Sequence, residues 1–409
     1  MLNMTWEFKL EPTSAQVSEI ERTLMVCRKV WNFALCERKD WLNSRKSPIN
    51  ACSIDREYIM SVDEPFPNYH VQAKRLTVAK QEIEELRSVN AQMLQQVLRR
   101  LEVGFERWRL RKGGIPRFKN QARMRSFLFP QMLKNCVSQD AIKLPQLGWV
   151  KVRWSRQIPD LFVVKQARIV RKASGYFVML SLQADVNIPE TSFYGHSIGI
   201  DVGLEYFLST SDGTQVKRPR FFAELQRKLK LLQCRLKHKQ KGSANRAKLL
   251  KKIARVHQRI ADTRKDWHFK LAHQICDQAD SIFVEDLDFR IMAKGMLGKH
   301  TLDAGLGQFT NQILPWVCFK RDKHYGKVNA YGTSQECPDC GASVRKTLSD
   351  RLHHCHECGS IKTRDIAAAQ VINSRGQRDV ETACGIEVTG DSVTNSSQLV
   401  LKQEIFGVI

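Results

Sequence analysis

A mixed α/β fold spread over several domains is predicted by three observations. The chain opens at strand period and continues at helical spacing from about residue 14 to 112; strand-like sequence then returns after Gly113-Gly114, and short apolar strands finally alternate with a long helical hairpin. The 409 residues are 42% apolar and 26% charged, which excludes wholesale disorder and a single small domain. Lys and Arg number 66 against 42 Asp and Glu, a formal charge of +24 that calls for a polyanion, with nucleic acid first and an anionic membrane second. No apolar run approaches a membrane span, and the start lacks a basic segment followed by an apolar one, so a cytosolic protein with no membrane partner is expected.

Met4, Trp6, Phe8 and Leu10 alternate with polar residues as in a half-buried strand that Pro12 ends, after which Ser14 is placed to cap a helix. Leu94, Val97, Leu101, Phe105 and Trp108 line one helical face. Lys143–Arg153 and Tyr176–Leu182 read as strands, so the helices are an insertion in a β domain: residues 1–12 and 122–190 form the β domain and 13–121 the helical one. Ser197–Leu204 and Tyr206–Thr210 begin a β-meander turned at Ser211-Asp212-Gly213. Leu225, Leu229, Leu232 and Leu236, then Leu249, Ile253, Val256 and Ile260, predict an antiparallel helical hairpin within 223–270. From Arg227 to Lys270 that hairpin carries sixteen Lys and Arg against two Asp, too few acids for i,i+4 pairing. A phosphate-facing surface is favoured over a solvated one, with Arg227, Lys228, Lys230, Arg235, Lys237, Lys241, Arg246, Lys248, Lys251 and Lys252 as contacts, joined by Arg117 and Lys119 of the first half. Residues 377–409 are Ser/Thr/Asn-rich and acidic, and are expected to be a disordered tail.

Two constellations carry chemistry. Cys337-x-x-Cys340 and Cys355-x-x-Cys358, fourteen residues apart and each followed by glycine, have the spacing of paired zinc knuckles; a four-thiolate shell is closed to water, so the Zn2+ is structural. His353, His354 and His356 are expected to face solvent or nucleic acid. The second set is Asp201 between glycines, Glu285 at the end of an apolar strand and Asp365 at the start of a small-residue helix. Together they supply the anionic oxygens with which two Mg2+ ions hydrolyse a phosphodiester. No Gly-rich phosphate loop, Ser-His-Asp order or His-Glu-x-x-His helix competes.

In order along the chain stand Gly114–Lys119 (GIPRFK), Leu144–Val150 (LPQLGWV), Gly199–Leu204 (GIDVGL), Val284–Leu287 (VEDL), Thr333–Gln335 (TSQ), the four cysteines, and Arg364-Asp365 followed by Ala368-Ala369. Over nearly its whole length the sequence resembles the TnpB family, transposon-encoded RNA-guided DNA endonucleases related to type V CRISPR effectors. The resemblance implies an RNase H-like (RuvC) α/β nuclease domain at 191–332 and 359–376, with a zinc ribbon at 333–358 inserted before its last acid. It also implies an oligonucleotide-binding-like, wedge-like β domain interrupted by a helical recognition domain. By motif, Asp201, Glu285 and Asp365 match the first, second and third catalytic Mg2+ ligands. Two positions depart: the family reads Asp-Arg-Asp-x-Asn-Ala-Ala, whereas Thr363 replaces the first Asp here and Ala367 the Asn. The partners implied are a guide RNA from the element's 3′ end, a double-stranded DNA target in the nucleoid and a transposase of the same element. A binding protein that no longer cuts, or a transposase accessory protein acting in DNA transposition, would use the same residues; the presence of all three acids and the resemblance favour the nuclease.

Overall fold

The computed structural model describes residues 2–45, 63–186, 195–347 and 350–384. It divides into two compact units, Met1–Asn187 and Ile188–Ile409.

In the first unit, strand β1 (Leu2–Glu11) buries Leu2, Met4, Trp6, Phe8 and Leu10. Helix α1 (Ser14–Ser44) follows at once, and its cap is Thr13 rather than Ser14: Thr13 Oγ1 accepts from the Gln16 amide at 3.3 Å while Gln16 Oε1 accepts from the Thr13 amide at 3.0 Å. Ser14 is already helical, and its carbonyl accepts from Ser18 Oγ at 3.1 Å. Three further helices complete the insertion: α2 (Tyr69–Glu82), the single turn α3 (Glu84–Arg87) and α4 (Ala91–Arg109). Met93, Leu94, Val97, Leu98, Leu101 and Phe105 form the buried stripe of α4. At the centre, the fully buried Arg38 guanidinium bonds Glu102 at 2.7 Å and Gln72 at 3.0 Å, so its charge is paired rather than stranded. Strands β2 (Ser126–Phe129), β3 (Ala141–Leu144), β4 (Gly148–Arg153), β5 (Val163–Lys172) and β6 (Gly175–Ala184) then join β1. They form one six-stranded antiparallel sheet, in the order β2-β5-β6-β1-β4-β3.

The second unit is built on a five-stranded sheet of order β11-β10-β7-β8-β9. Strands β7 (Ser197–Val202), β8 (Tyr206–Thr210) and β9 (Gln215–Lys217) meander antiparallel. Helices α5 (Phe221–Lys237) and α6 (Ala244–Gln278) form the hairpin, closed on each other through Leu229, Leu232, Val256 and Ile260. Strand β10 (Ser281–Glu285) returns parallel to β7. Short helices α7 (Phe289–Met292), α8 (Gly298–Ala304) and α9 (Leu306–Gln308) lead through a π-helical turn at Phe309–Ile313 into α10 (Leu314–Lys320). Strand β11 (His324–Val328) lies parallel to β10; β12 (Leu352–His354) and β13 (Ile361–Thr363) then pair as a small ribbon before α11 (Arg364–Cys384). Helix α11 carries residues 377–384, the start of the expected disordered tail, as regular helix; the rest of that tail lies outside the described residues. Gln377 explains the extension, since its side-chain amide donates to Ser197 Oγ at 2.7 Å.

Side-chain alternation decides which helix covers which face. Ile198, Ile200, Ile282 and Val284 pack with Leu271, Ile275 and Val317 of α6 and α10, whereas Phe283 and Val328 pack with Ile372 of α11. By the same period of two, Gly199, Asp201 and Glu285 belong to the α11 face. No helix among the described residues is long and apolar enough to cross a membrane.

Candidate nuclease centre and zinc element

Glycine governs how close α11 comes. A Cβ on Gly199 would stand 2.1 Å from the Ala369 carbonyl oxygen, and one on Gly376 would stand 2.2 Å from the Phe283 ring. Ala367, Ala368 and Ala369 are buried in the same contact. The Asn373 side-chain amide donates to the Ser197 carbonyl at 3.2 Å, so α11 runs antiparallel to β7. Two residues up the strand from Gly199, about 6.8 Å, lead to Asp201. One turn back along the helix from Ala369, about 6 Å, leads to Asp365. The β7–β10 pairing ends at Val284 opposite Ile200, and one more step sets Glu285 beside Asp201.

The three acids therefore share one electrostatic neighbourhood. Burial, then Glu285 and Asp365, push the Asp201 carboxyl up to about 8, and Arg364 pulls it partly back. Burial also raises Glu285, opposed by a hydrogen bond donated by Thr333 Oγ1 and by the charge of Arg375. Arg364 Nε lies 3.4 Å from Asp365 Oδ1. Among the described residues, the four cysteines are the one group of three or more such ligands that closes to metal-binding spacing; the carboxylates converge less tightly. Like charges held together with few protein donors are the environment that a divalent cation neutralises. The departures from the family pattern leave the acids in place: Thr363 is exposed at the end of β13, and Ala367 is a buried residue of α11.

Cys337, Cys340, Cys355 and Cys358 bring their Sγ atoms within 4.8 Å of one another. Tetrahedral zinc with bonds of about 2.3 Å needs sulfurs about 3.8 Å apart, and the Cys337–Cys358 and Cys340–Cys355 sulfurs lie 3.7 and 3.5 Å apart. Gly341 and Gly359 take φ of 74° and 72° and return their amides to the Cys337 and Cys355 carbonyls at 2.9 Å, so each knuckle turns where a Cβ would be strained. The donor set fits a structural zinc ion. His354 and His356 are exposed, but His353 is fully buried with both ring nitrogens unbonded, because the alternation of β12 turns its central residue inward.

The cysteine-rich element is tied to α11 at both ends. Lys362 Nζ bridges Asp339 Oδ1 at 2.7 Å and Gln370 Oε1 at 2.9 Å. Arg375 holds Glu336 at 2.5 Å and the Asn329 and Tyr331 carbonyls at 3.0 and 2.7 Å, fixing the segment from which Thr333 reaches Glu285. Thr333 stands in the TSQ motif and Arg375 in no motif; both act through tertiary bonds that sequence spacing does not encode.

Of the twelve basic residues read as nucleic-acid contacts, Arg227, Lys228, Lys230, Arg235, Lys237, Lys241, Lys248, Lys251, Lys252 and Arg117 are exposed. Arg246 is half-buried and closes the hairpin turn, bonding the Leu236 and Lys239 carbonyls at 2.9 and 3.2 Å. Lys119 turns inward: its ammonium lies 3.2 Å from the Trp31 ring centroid, and burial with neighbouring Arg100 lowers it to about 7.

Family models match in chain order: a helix-turn-helix domain at residues 1–47, "Probable transposase" at 181–296 and "Cas12f1-like, TNB domain" at 307–372. Where the helix-turn-helix model matches, the described residues form β1 and α1. "Putative RNA-guided DNA endonuclease InsQ" of Escherichia coli (strain K12) is 27% identical over 397 residues, 93% of each chain. A "Putative RNA-guided DNA endonuclease" of Streptomyces pristinaespiralis is 26% identical over 387 residues, 93% of this chain and 90% of that one. A protein chain in the cryo-EM structure of a Cas12f1-sgRNA-target DNA complex aligns at TM-score 0.49 and 14% identity, over 88% of this chain and 82% of that one. The described residues form a multidomain α/β protein with a cysteine-rich element ahead of α11, and the family models matched to it include a probable transposase and a Cas12f1-like TNB domain. The chain is thus similar over most of its length to proteins described as putative RNA-guided DNA endonucleases.

Proposed function

We propose that the protein is an RNA-guided DNA endonuclease of a transposable element. Its second unit works as an RuvC-like, RNase H-type nuclease. The convergence of Asp201, Glu285 and Asp365 on the α11 face of the β11-β10-β7-β8-β9 sheet carries this reading, since that strand order places two acids on adjacent parallel strands and a third on the covering helix. Two Mg2+ ions at such a site would activate the attacking water and stabilise the leaving oxygen. The residues prepare that chemistry: Asp201, Glu285 and Asp365 offer oxygens, Thr333 orients the Glu285 carboxylate, and Arg364 sits beside Asp365. Zn2+ on the four cysteines holds the element that delivers Thr333 and ties into α11. The exposed bases of α5 and α6 bear on phosphates.

The test is cleavage by protein coexpressed with its downstream flanking DNA. With copurifying RNA and Mg2+, duplexes that match the RNA next to a short flanking motif should be cut and mismatched ones spared. Equal cutting of all duplexes by RNA-free protein would leave a plain metal-dependent nuclease.

A further inference from the structure

The first unit contains a cavity of about 270 Å³ whose lining includes Trp31 of α1, Val97, Arg99 and Arg100 of α4, Phe127 of β2 and Arg168 of β5. The charges around it are unbalanced. Among the described residues no carboxylate pairs with Arg99, Arg100, Arg168 or the adjacent Lys119. Arg99 Nε donates to the Tyr69 hydroxyl at 3.2 Å and Arg100 Nη1 to Ser126 Oγ at 3.3 Å, both neutral acceptors. Arg99, Arg100 and Arg168 are exposed, whereas two deeper arginines of the same unit have acids: the buried Arg38 bonds Glu102, and the half-buried Arg171 pairs with Glu21. Burial first, and then the charge of Arg168 beside Arg100 and of Arg100 beside Lys119, lowers the basicity of Arg100 and Lys119, so cations crowded without a counter-charge add to one another's cost. An anion entering the cavity would relieve that cost. Its chemistry is constrained further by the apolar and aromatic walls and by a volume just under the roughly 300 Å³ at which small-molecule pockets begin. A flat apolar ring bearing a phosphate satisfies both conditions, because the ring packs on Trp31, Val97 and Phe127 while the arginine forks take the phosphate oxygens.

We propose that this cavity is a seat for a single unstacked nucleotide, its base between the apolar walls and its phosphate on Arg100 and Arg168. The inference rests on the nucleic-acid-guided reading above and adds to it a site in the first unit, far in sequence from the acids and from the α5–α6 hairpin. The nucleotide can come from bound RNA or from an opened DNA strand; the chemistry is shared, and the test separates them.

The full chain is purified with its copurifying RNA from cells fed 4-thiouridine, and in parallel is mixed with a target duplex carrying 4-thiothymidine along one strand. After irradiation at long wavelength, crosslinked peptides are identified by mass spectrometry. Crosslinks on the peptides of Trp31, Val97 or Phe127 in the RNA arm assign the seat to RNA, and in the DNA arm to DNA. Arg100→Gln with Arg168→Gln should weaken binding of that strand roughly tenfold. Removing this one phosphate neutralisation should also reduce the slope of log K on log salt by about 0.7. Val97→Trp, which fills the cavity, should abolish the crosslink; Arg168→Gln alone, on an exposed strand position, keeps the test interpretable if the filled variant does not fold. Crosslinks confined to the α5–α6 hairpin and other surfaces in both arms, with the double variant's salt slope unchanged, would overturn the seat. The same preparations are assayed for guide-matched cutting. Cutting without cavity crosslinks rejects the seat alone, and cavity crosslinks without guided cutting reject the nuclease reading while the seat stands.

Discussion

At the residue scale, the acids differ in what their removal costs. Alanine at Asp201, Glu285 or Asp365 should lower cleavage by at least roughly 10²-fold with nucleic-acid binding retained, since each variant removes an oxygen ligand and no phosphate contact. Asp286 and Asp288 are fitting controls: they pair at 2.8 and 2.7 Å with Lys327 and Arg290 on the exposed side, and their alanine variants should cut normally in the same assay. Asp201 also makes a prediction about pH. Its folded carboxyl holds a proton up to about 8, whereas an unfolded Asp releases it near 4, so between those values the folded state binds the extra proton. In Mg2+-free buffer this contribution is complete below about pH 4 and is lost as pH rises through 8. Asp201→Asn removes the titration. Thermal melts from pH 5 to 9 should therefore decline less for the variant, which at pH 8 should gain about 1 kcal/mol or more, roughly 2–4 °C in Tm. Parallel declines would show that the carboxylate is already ionised and compensated. The strand-end position of Asp201 and Glu285 and the helix-start position of Asp365 were legible because each follows a strong local pattern. That burial would push the Asp201 carboxyl up was not, since α11, which covers that face, lies far along the chain.

At the scale of elements, the cysteine-rich element and the basic hairpin should fail differently when altered. Cys355→Ser should cut bound zinc to well below one ion per chain and lower the melting temperature of the second unit, because metal binding and local folding are one equilibrium. Elemental analysis with calorimetry measures both, and full zinc retention would refute the four-cysteine shell. Charge-neutralising substitutions at Lys228, Lys230, Lys248, Lys251 and Lys252, all exposed, should leave melting unchanged. They should weaken binding to every sequence alike, and the salt slope should fall by about 0.7 for each single-strand phosphate no longer neutralised. Pattern and pairing explain what could be read in advance. Alternation along β1 and the four-residue steps of α5 and α6 are properties of neighbouring residues, so they were visible. The placement of β1 between β6 and β4 was not, because pairing partners more than a hundred residues apart leave no periodic trace. Composition also misled at two places: Lys119 reads as a surface cation but lies against Trp31, and residues 377–384 read as tail but continue α11 because Gln377 has a partner on β7.

For the whole molecule, a charge of +24 is a statement about company. Protein purified without nuclease treatment should carry RNA, and digesting that RNA should lower the melting temperature by several degrees, since a ligand that binds only the folded state stabilises it by mass action. An unchanged melt after complete digestion would place the RNA outside the folded contacts. The tight seating of α11 on Gly199 has a further consequence, in time rather than space. Asp201 leaves the ribosome 164 residues ahead of Asp365, an interval of roughly 8–30 s at about 5–20 residues per second. Until α11 emerges and docks, β7 has a bare face, and the proposed cutting centre lacks Asp365, its third oxygen donor. On the function proposed above, a chain still in synthesis, or one broken off before residue 364, would be disarmed by its own order of manufacture, and the newborn protein would gather RNA on its hairpin before it could damage DNA.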